Sequence, residues 1–537
     1  MVAHGEPWIW ITGGSLALAF IMILGLFGLI IFRGAIHFWP QPLVLVTQQD
    51  NTAFLGEISR VKKDVHDHIL RLFRIGDYEL SQTNQYKWLD DDKIADMHPP
   101  FWATVVERLD GGRFHGMPVR VFYQERVVAD GPEAASEMFE EKHPMIQRKI
   151  DETASFDKYD RGKLQHQLRT ARLAIVQAGL QHGKTSTFYE EAIRQEQVIA
   201  NRVAIQISAL DNKVHQLRSE YVGWSYEFKS PSGELYRIPM ESIVQLWQPN
   251  RLSFFGKINV YVMRWSNFLS ADPREANSAG GVFPAIWGTV ALTLLMTLIV
   301  APLGVVAALY LSEYASRSWM TATMRIAINN LAGVPSIVYG AFGLGFFCYG
   351  LGVSIDELFF MPALLADGQP TYGTGGLLWA SLTLALLTLP VVIISTEEAI
   401  AAVPNSMRNG SYACGATKWQ TIRRIVLPRA LPGILTGIIL AMARAAGEVA
   451  PLMLVGVKKL ALDLPIDRTF PYIHPEREFM HLPFMIYDIG FQGSNSQGSE
   501  AIVFTIIFLL VAIIAALNLT AIMIRSRMTR LVVSESF

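Results

Sequence analysis

The chain has 537 residues, of which 51% are apolar and 17% charged, and its formal net charge is −1. Residues 33–282 hold 63 of the Lys, Arg, Asp and Glu side chains, whereas the other 287 residues together hold only 30. One part is as charged as a soluble domain and the other is too apolar for water, which excludes both a single soluble enzyme and a fully membrane-embedded channel.

The charge balance and the cysteine content exclude further classes of protein. No excess of Lys and Arg is present to neutralise phosphates, which argues against a nucleic-acid partner. Cys348 and Cys414 are the only cysteines of the sequence. A disulfide framework and a cysteine zinc site are therefore not expected.

Six apolar windows are long enough to cross a hydrocarbon core, which needs about 20 helical residues. The windows are Trp8–Phe32, Phe283–Leu311, Ile328–Gly352, Gly376–Ser395, Gly433–Gly456 and Ala501–Ile524. The first has no Lys or Arg before it and lacks a clear small-x-small cleavage motif. We therefore interpret residues 1–32 as an uncleaved N-terminal transmembrane anchor and not as a secretion signal.

The charged segment 33–282 is predicted to be an α+β module inserted between the first two spans. Short alternating runs over 41–130 favour strands, and Trp224, Tyr226 and Phe228 alternate ahead of a Ser-Pro-Ser-Gly turn. Apolar residues at helical spacing predict helices over about 158–178 and from Val203 to Tyr221. These two helices are expected to form a helical hairpin.

Two polar motifs in this segment have ordinary structural interpretations. Residues 178–185 fit a relaxed phosphate-loop pattern, but an amphipathic helix and not an apolar strand is predicted before them, so we expect a helix–helix turn. Asp64, His66, Asp67 and His68 carry side chains that can ligate metals. Clustered polar residues at this spacing are more typical of a solvated face, and we expect no metal site.

Residues 396–432 are too charged to enter a membrane, yet apolar residues recur there at helical spacing. Trp419, Ile422 and Val426 fall on one face, Gly415 precedes them, and Pro428 is expected to end the helix. The pattern predicts two short helices that are hinged at the glycine and protrude from the membrane. A single amphipathic helix resting on the bilayer surface is the alternative.

The fifth apolar window has Arg444 near its midpoint, with Glu448 four residues later on the same helical face. A charge at the bilayer centre costs at least about 2.5–3.5 kcal/mol, so such a residue normally faces a partner or a water-filled path. A guanidinium offers a bidentate fork to a tetrahedral oxyanion, and a carboxylate can hold that fork when the anion is absent. We predict that Arg444 and Glu448 line a substrate pathway; a structural ion pair is the alternative.

The basic residues of the short loops predict the orientation in the membrane. Segments 312–327, 396–432 and 525–537 hold ten Lys or Arg, whereas 353–375 and 457–500 hold four. Because basic loops stay on the cytoplasmic side, both termini are expected in the cytoplasm and residues 33–282 in the periplasm of a bacterial inner membrane.

Several blocks of the sequence resemble the permease subunits of ABC importers. Gly415 followed after nine residues by Ile425-x-Leu427-Pro428 is similar to the motif with which these permeases dock into an ATPase subunit. The strings 288–315, 333–340 and 415–434 resemble PstA-type permeases of phosphate-specific importers, in the binding-protein-dependent transport inner-membrane component family. The resemblance covers about 280–525 and the first anchor. It departs from the family at Asn409, where an acidic residue often opens the loop, and in the size of the insert.

The resemblance implies a polytopic α-helical membrane protein of six transmembrane helices, like a type I ABC importer permease, with an inserted extracytoplasmic α+β domain. Residues 283–537 form its five-helix permease core, and 396–432 form its cytoplasmic coupling loop. The ATPase-coupling residues are Ser411, Ala413, Gly415, Lys418, Trp419, Ile425, Leu427 and Pro428. The sequence from Arg444 to Glu448 is similar to an Arg-Ala-x-Gly-Glu element implicated in transport.

The function that the resemblance implies is that of a permease subunit of an ATP-driven importer of inorganic phosphate. The implied partners are a second, PstC-type permease, two PstB-type ATPase subunits, an external PstS-type phosphate-binding protein and membrane lipid. The chain is expected to be no enzyme and to bind no cofactor, since the ATPase subunits hydrolyse ATP. The alternatives are a permease for sulfate, molybdate or phosphonate, and a membrane sensor or scaffold with an external ligand-binding module.

Overall fold

The computed structural model describes residues 6–63, 68–76, 86–274, 279–316, 318–467, 472–492 and 496–534. Six helices in these ranges are long and apolar enough to cross a membrane, as the sequence predicts. They are Trp10–Ile36, Phe283–Tyr314, Ser336–Phe359, Leu377–Ala401, Lys418–Ala445 and Glu500–Met528.

Two of the predicted spans have the wrong bounds. The third was expected to start at Ile328, but one helix ends at Leu331 and the span begins at Ser336, because Pro335 disfavours helical backbone at the residue before it. The fifth was expected over 433–456. It is instead the helix Lys418–Ala445, and a turn ahead of Pro451 separates it from a short helix Leu452–Val455. A window of average hydropathy includes the residues on both sides of such a break, so it does not detect where the helix ends.

The insert begins with strands, as the alternation over 41–130 predicts. Strands β1 to β5 form an antiparallel sheet in the order β4-β3-β2-β1-β5. They are β1 Leu43–Gln48, β2 Ala53–Lys63, β3 Ile69–Ile75, β4 Tyr86–Asp90 and β5 Ile94–His98.

A second sheet has the order β10-β9-β7-β6-β11, and β8 pairs with β7. Its strands are β6 Thr104–Arg108, β7 Arg113–Tyr123, β8 Arg126–Asp130, β9 Trp224–Lys229, β10 Leu235–Pro239 and β11 Ile243–Trp247. Tyr226 and Phe228 of the predicted alternating strand are fully buried beside Phe114. The hairpin β9–β10 turns at Gly233, whose φ of +92° favours glycine.

Three long helices connect β8 to β9 in this sheet. They are Pro132–Ser155, Arg161–His182 and Thr187–Tyr221, with a π-helical turn Phe156–Asp160 between the first two. The second and third pack against each other as a helical hairpin. In the third helix, Val203, Val214 and Tyr221 of the predicted apolar stretch are buried.

The phosphate-loop-like segment lies at the tip of this hairpin. Residues up to His182 complete a helix, Gly183 turns the chain with a φ of +83°, and the Ser186 hydroxyl caps the next helix by accepting from the Tyr189 N–H. The Gly183 N–H donates to the Gly179 carbonyl at 3.1 Å, as at a helix end, and the Ser186 N–H donates to the Gly183 carbonyl at 3.3 Å. The segment is a helix–helix turn.

The remaining elements link the insert to the membrane core. The helix Phe254–Ser270 and a two-stranded pair, Pro273–Arg274 with Ala279–Gly280, precede the second span. The short helix Met361–Asp367 lies between the third and fourth spans. Its last residue, Asp367, accepts two hydrogen bonds, at 2.6 and 3.0 Å, from the Arg169 guanidinium of the helical hairpin. Other short helices are Trp319–Leu331, Asn405–Ala413 and Leu482–Tyr487. The 3₁₀ turns are Asp91–Lys93 and Met240–Ser242. Further π-helical turns are Tyr310–Tyr314, Gly343–Gly352, Ile422–Val426 and Asp488–Gln492.

The fourth span is the centre of the membrane bundle. Leu384 and Val392 of this span are fully buried in a cluster that also holds Met296 of the second span. Gly304 of the second span packs so closely on Val392 that an added Cβ would lie 2.6 Å from its side chain. The first span is peripheral and touches the last near Gly34, whose carbonyl accepts from Thr505.

Candidate functional site

The predicted coupling loop is two short helices joined at Gly415, followed directly by the fifth span. The first helix is Asn405–Ala413 and the second is Lys418–Thr421. Gly415 has a φ of +81°, and an added Cβ would have no neighbour within 4 Å. Glycine is therefore favoured at this hinge by backbone conformation and not by lack of space.

A capping box starts the second short helix. The Thr417 hydroxyl accepts from the Gln420 N–H, and the Gln420 side chain accepts from the Thr417 N–H. The expectation that Pro428 ends this helix is wrong. The chain passes through the π-helical turn Ile422–Val426 into the helix Leu427–Ala445, and Pro428 lies in its first turn, where the absence of an N–H costs no helix bond.

Contacts within the loop and to the second span hold the two short helices in place. Ser411 and Thr421 are hydrogen bonded through their hydroxyls at 2.9 Å. The Arg408 guanidinium forms an ion pair with Glu313, and the Lys418 ammonium donates to the Glu313 carbonyl. Lys418 also lies 5.0 Å from the centre of the Tyr314 ring. Both halves of the loop are thereby attached to the end of the span Phe283–Tyr314.

The loop residues separate into a packed base and an open face. Val426 and Ala430 are buried against Ile400 and Val403, and Leu427 packs on this cluster. Ile422 is also buried. Ile425 and Pro428 are partly buried.

The open face carries four of the predicted residues. Ala413, Gly415, Lys418 and Trp419 are exposed, the last at 53% of its surface. The expectation that Trp419 shares the buried face of Ile422 and Val426 is thus wrong. An exposed indole on a fixed helix is a suitable contact for a partner protein.

Sequence reasoning missed the residues that hold this face. Glu313 lies 95 positions from Arg408 along the chain, so no local pattern links them. Within 415–422, the Thr417-x-x-Gln420 spacing was the one available signal, since it is typical of a helix start.

Arg444 lies at the far end of the same helix and not at its midpoint, and Glu448 lies just beyond that end. Arg444 is in the last turn of Leu427–Ala445, about 26 Å along the axis from Leu427. Its Nε is 3.6 Å from the Glu448 carboxylate, across the turn in which the Glu448 N–H donates to the Ala445 carbonyl at 3.2 Å. The predicted pair therefore exists, but at a helix end.

The Arg444 guanidinium is open to solvent in the single chain, with 42% of its side chain exposed. Its contact with Glu448 is longer than a hydrogen bond, and in the described ranges no side chain or carbonyl accepts a hydrogen bond from it. Arg444 also interacts electrostatically with Tyr339 of the third span. Its N–H donors remain available to bind a tetrahedral anion in a bidentate way.

The four polar residues suggested as metal ligands are mostly outside the described residues. Asp64, His66 and Asp67 fall there, whereas His68 lies beside Asp90 and Asp92 with ligand atoms within 4.8 Å of one another. His68 is hydrogen bonded to Asp92 at 2.8 Å on an exposed surface. The absence of a metal site here stays a prediction.

The permease part of the chain is similar to known transport proteins. Residues 300–530 match the family described as binding-protein-dependent transport system inner membrane component. The chain is 34% identical over 253 residues to the phosphate transport system permease protein PstA 1 of Mycobacterium tuberculosis strain CDC 1551/Oshkosh, covering 47% of this chain and 73% of the relative. It is 36% identical over 201 residues to the probable ABC transporter permease protein YqgH of Bacillus subtilis, covering 37% of this chain and 60% of that protein.

Among solved structures, the inward-facing MetNI methionine ABC transporter is similar with 18% identity and a TM-score of 0.32, over 46% of this chain and 94% of that chain. The chain spans only 53–60% of the length of several curated relatives that it matches. The family match does not extend to the insert. These relatives are transporter components and not enzymes. The chain therefore belongs to the family of binding-protein-dependent transport system inner membrane components, in which it is a permease of the PstA type.

Proposed function

We propose that the chain is the PstA-type half of the translocation pathway of an ATP-driven importer of inorganic phosphate. It pairs with a second, PstC-type permease, docks onto two PstB-type ATPase subunits and receives phosphate from an external PstS-type binding protein. Both termini are cytoplasmic and the insert is periplasmic, in keeping with the basic residues of the loops. ATP is bound and hydrolysed by the partner subunits.

The observation that carries this proposal is the open face of the coupling loop. Trp419 and Lys418 are exposed on a short helix that Lys418 attaches to the Glu313 carbonyl at the end of the second span. The Glu313–Arg408 ion pair attaches the preceding short helix to the same end. The helix that carries Trp419 runs without interruption into the fifth span. A movement imposed on this face by an ATPase subunit is therefore passed to two membrane helices as a rigid body.

Arg444 and Glu448 are the proposed anion-binding groups of the pathway. The guanidinium has free donors for phosphate oxygens, and the Glu448 carboxylate at 3.6 Å is close enough to compete for them when phosphate leaves. If Leu427 lies at the cytoplasmic boundary, a core of about 30 Å puts Arg444 near its outer side. It would meet phosphate soon after release from the binding protein.

Substitution of Trp419 tests the coupling face. In the reconstituted complex, Trp419→Ala should strongly reduce phosphate-stimulated ATPase activity while leaving membrane insertion intact. Trp319→Ala is the matched control, because Trp319 is 81% exposed at the start of another helix outside the loop. Normal coupling in Trp419→Ala, or an equal loss in the control, would contradict the docking role.

Substitution of Arg444 tests the pathway. Arg444→Ala should abolish phosphate uptake without preventing assembly with the ATPase subunits, and Arg444→Lys should keep part of the uptake because it keeps the charge but not the fork. Arg527→Ala, at an exposed arginine near the end of the last span, is the control. Uptake by Arg444→Ala at the level of this control would leave only a structural role. Competition by unlabelled phosphate, sulfate and molybdate in the same assay tests the substrate.

A further inference from the structure

A cavity of about 220 Å³ lies where the insert meets the first and last membrane helices. Its wall includes Ile36, the last residue of the first helix, and Glu500 and Ala501 at the start of the last span. The rest of the wall comes from the segment 37–41 that follows the first helix, from β2, β3, β4 and β7, and from the helix Phe254–Ser270. At about 30 Å³ per water molecule, the volume suffices for a phosphate group with several waters.

Positive charge predominates in this cavity. Four arginines line it and only two carboxylates do, namely Arg60, Arg74, Arg113, Arg264, Glu57 and Glu500. Both carboxylates are already engaged. Glu57 pairs with Arg113 at 3.2 Å, and Glu500 pairs with Arg60 at 2.5 Å and with Arg33 at 2.8 Å. Among the lining side chains themselves, four positive charges therefore stand beside two negative charges.

Arg264 is the most deeply placed of these arginines, with 5% of its surface exposed. One terminal nitrogen donates to the Phe38 carbonyl at 2.7 Å. The guanidinium lies 5.2 Å from the centre of the Phe38 ring and 4.9 Å from that of Trp247. No carboxylate of the described residues is within ion-pair distance of it. A buried guanidinium that donates to a neutral carbonyl, with no carboxylate in ion-pair contact, is expected to attract an anion.

The electrostatics of the neighbouring groups agree with an unbalanced positive charge. Burial lowers the pKa of Arg264 to about 9; the charges of Arg113 and Arg74 also lower this pKa, whereas those of Glu57 and Glu107 oppose the shift. Burial also lowers the pKa of Arg113, as does the charge of Arg74. The pKa of His37 is lowered by burial and by these three arginines, so its ring is neutral at neutral pH. A bound anion would relieve this mutual repulsion.

We propose that this cavity binds the phosphate group of a free or lipid-borne phosphate through Arg74, Arg113 and Arg264. Guanidinium groups suit such a ligand because each can donate two parallel hydrogen bonds to its oxygens. The site is separate from the Arg444 pair, since it is built by the insert and by the ends of the first and last spans. Binding there requires neither ATP nor partner subunits.

The surroundings of the cavity allow two sources of this phosphate group. The helix Phe254–Ser270 carries Arg264 and also exposes Phe254, Phe255 and Val262, at 65%, 80% and 58% of their surfaces. Exposed apolar residues beside the ends of membrane helices are typical of the headgroup region, where an anionic lipid could reach the cavity. Inorganic phosphate could enter the same opening from the aqueous side.

The test uses the purified full chain in lipid nanodiscs, with Arg444→Ala in every sample so that the pathway pair does not contribute. In phosphatidylcholine nanodiscs, binding of radiolabelled inorganic phosphate is measured at equilibrium. In nanodiscs with one quarter phosphatidylglycerol, native mass spectrometry counts the phosphatidylglycerol retained. Arg74→Gln and Arg264→Gln are the test variants. Arg120→Gln is the control, because Arg120 pairs with Asp130 at an exposed site of the same module.

Loss of phosphate binding by about tenfold or more in the test variants alone assigns the site to free phosphate. Loss of a retained phosphatidylglycerol in the same variants assigns it to lipid. If neither ligand distinguishes the test variants from Arg120→Gln, the proposal is overturned. Should Arg264→Gln fail to elute as a folded protein, Arg74→Gln decides, since its side chain is only partly buried. The outcome is independent of uptake and ATPase assays.

Discussion

The ion pair between Glu313 and Arg408 is expected to be a major contact holding the coupling loop. Only 7% of the Glu313 side chain and 18% of the Arg408 side chain are exposed. Arg408 also donates to the Ile400 carbonyl at 2.7 Å. Arg408→Ala removes both contacts and leaves a carboxylate buried without its charge partner, whereas Glu313→Gln keeps an oxygen that can accept from Arg408.

The two substitutions should therefore differ in their effect on the free energy of unfolding. Removing one partner of a buried ion pair costs about 3–5 kcal/mol, and the remaining exposure of Arg408 puts Arg408→Ala near the lower limit, at about 3 kcal/mol. Glu313→Gln should cost about 1–2 kcal/mol, because a neutral hydrogen bond replaces a charge-assisted one. The double variant should be more stable than Arg408→Ala alone, since it removes the unpaired charge.

The assay is unfolding of the full chain in detergent, followed by tryptophan fluorescence, together with phosphate-stimulated ATPase activity of the assembled complex. Lys458→Ala is the control, because Lys458 pairs with Glu478 at 2.7 Å but with 58% and 43% of the side chains exposed. It should cost less than about 1 kcal/mol. Two results would contradict a buried ion pair that holds the loop. One is an Arg408→Ala variant that is no less stable than the control, and the other is a double variant, Arg408→Ala with Glu313→Gln, that is no more stable than Arg408→Ala.

Three further substitutions probe single contacts. Gly415→Ala should lower the free energy of unfolding by about 1–2 kcal/mol, because the φ of +81° disfavours alanine, and Gly415→Asn should lower it less. The two variants are compared by unfolding and by phosphate-stimulated ATPase activity. Asp356 is 1% exposed and accepts from the Tyr372 and Gly373 N–H groups, so Asp356→Ala should lower the unfolding midpoint by the equivalent of about 2–3 kcal/mol, and Asp356→Asn by less. Burial lowers the pKa of His115 from 6.5 to about 4. As the pH falls, His115 is protonated in the unfolded state before it is protonated in the folded state. The free energy of unfolding should therefore be greatest above pH 6.5 and fall by about 3 kcal/mol toward pH 4. The His115→Gln variant should not show this loss when unfolding is measured over the same pH range.

Local patterns predicted those parts of the fold that depend on local spacing. The alternation of Trp224, Tyr226 and Phe228 reports a strand with one buried face, and the structure has that strand. The number of membrane helices follows from hydropathy in the same way. Their bounds do not, because Pro335 and Pro451 interrupt the backbone within apolar stretches that a window treats as continuous.

The candidate sites were predicted only where their residues are neighbours in sequence. Gly415, Lys418 and Trp419 lie together on the coupling loop, and Arg444 and Glu448 are four residues apart. The ion pair that fixes the loop joins Glu313, at the end of the second span, to Arg408 in the loop helix Asn405–Ala413. The four arginines of the insert cavity lie on β2 and β3 of the first sheet, on β7 of the second sheet and on the helix Phe254–Ser270. Only the folded chain brings these elements together. Nothing in a local window predicts such a meeting.

The helix Lys418–Ala445 has 28 residues and joins the exposed loop to the Arg444 pair without a break. At 1.5 Å per residue it is a rod of about 42 Å, so a tilt of about 10° around its centre would displace each end by about 3–4 Å in opposite directions. That displacement exceeds the length of a hydrogen bond, about 2.9 Å. A small displacement of the loop end is thus sufficient to make or break a hydrogen bond at the Arg444 end of the helix.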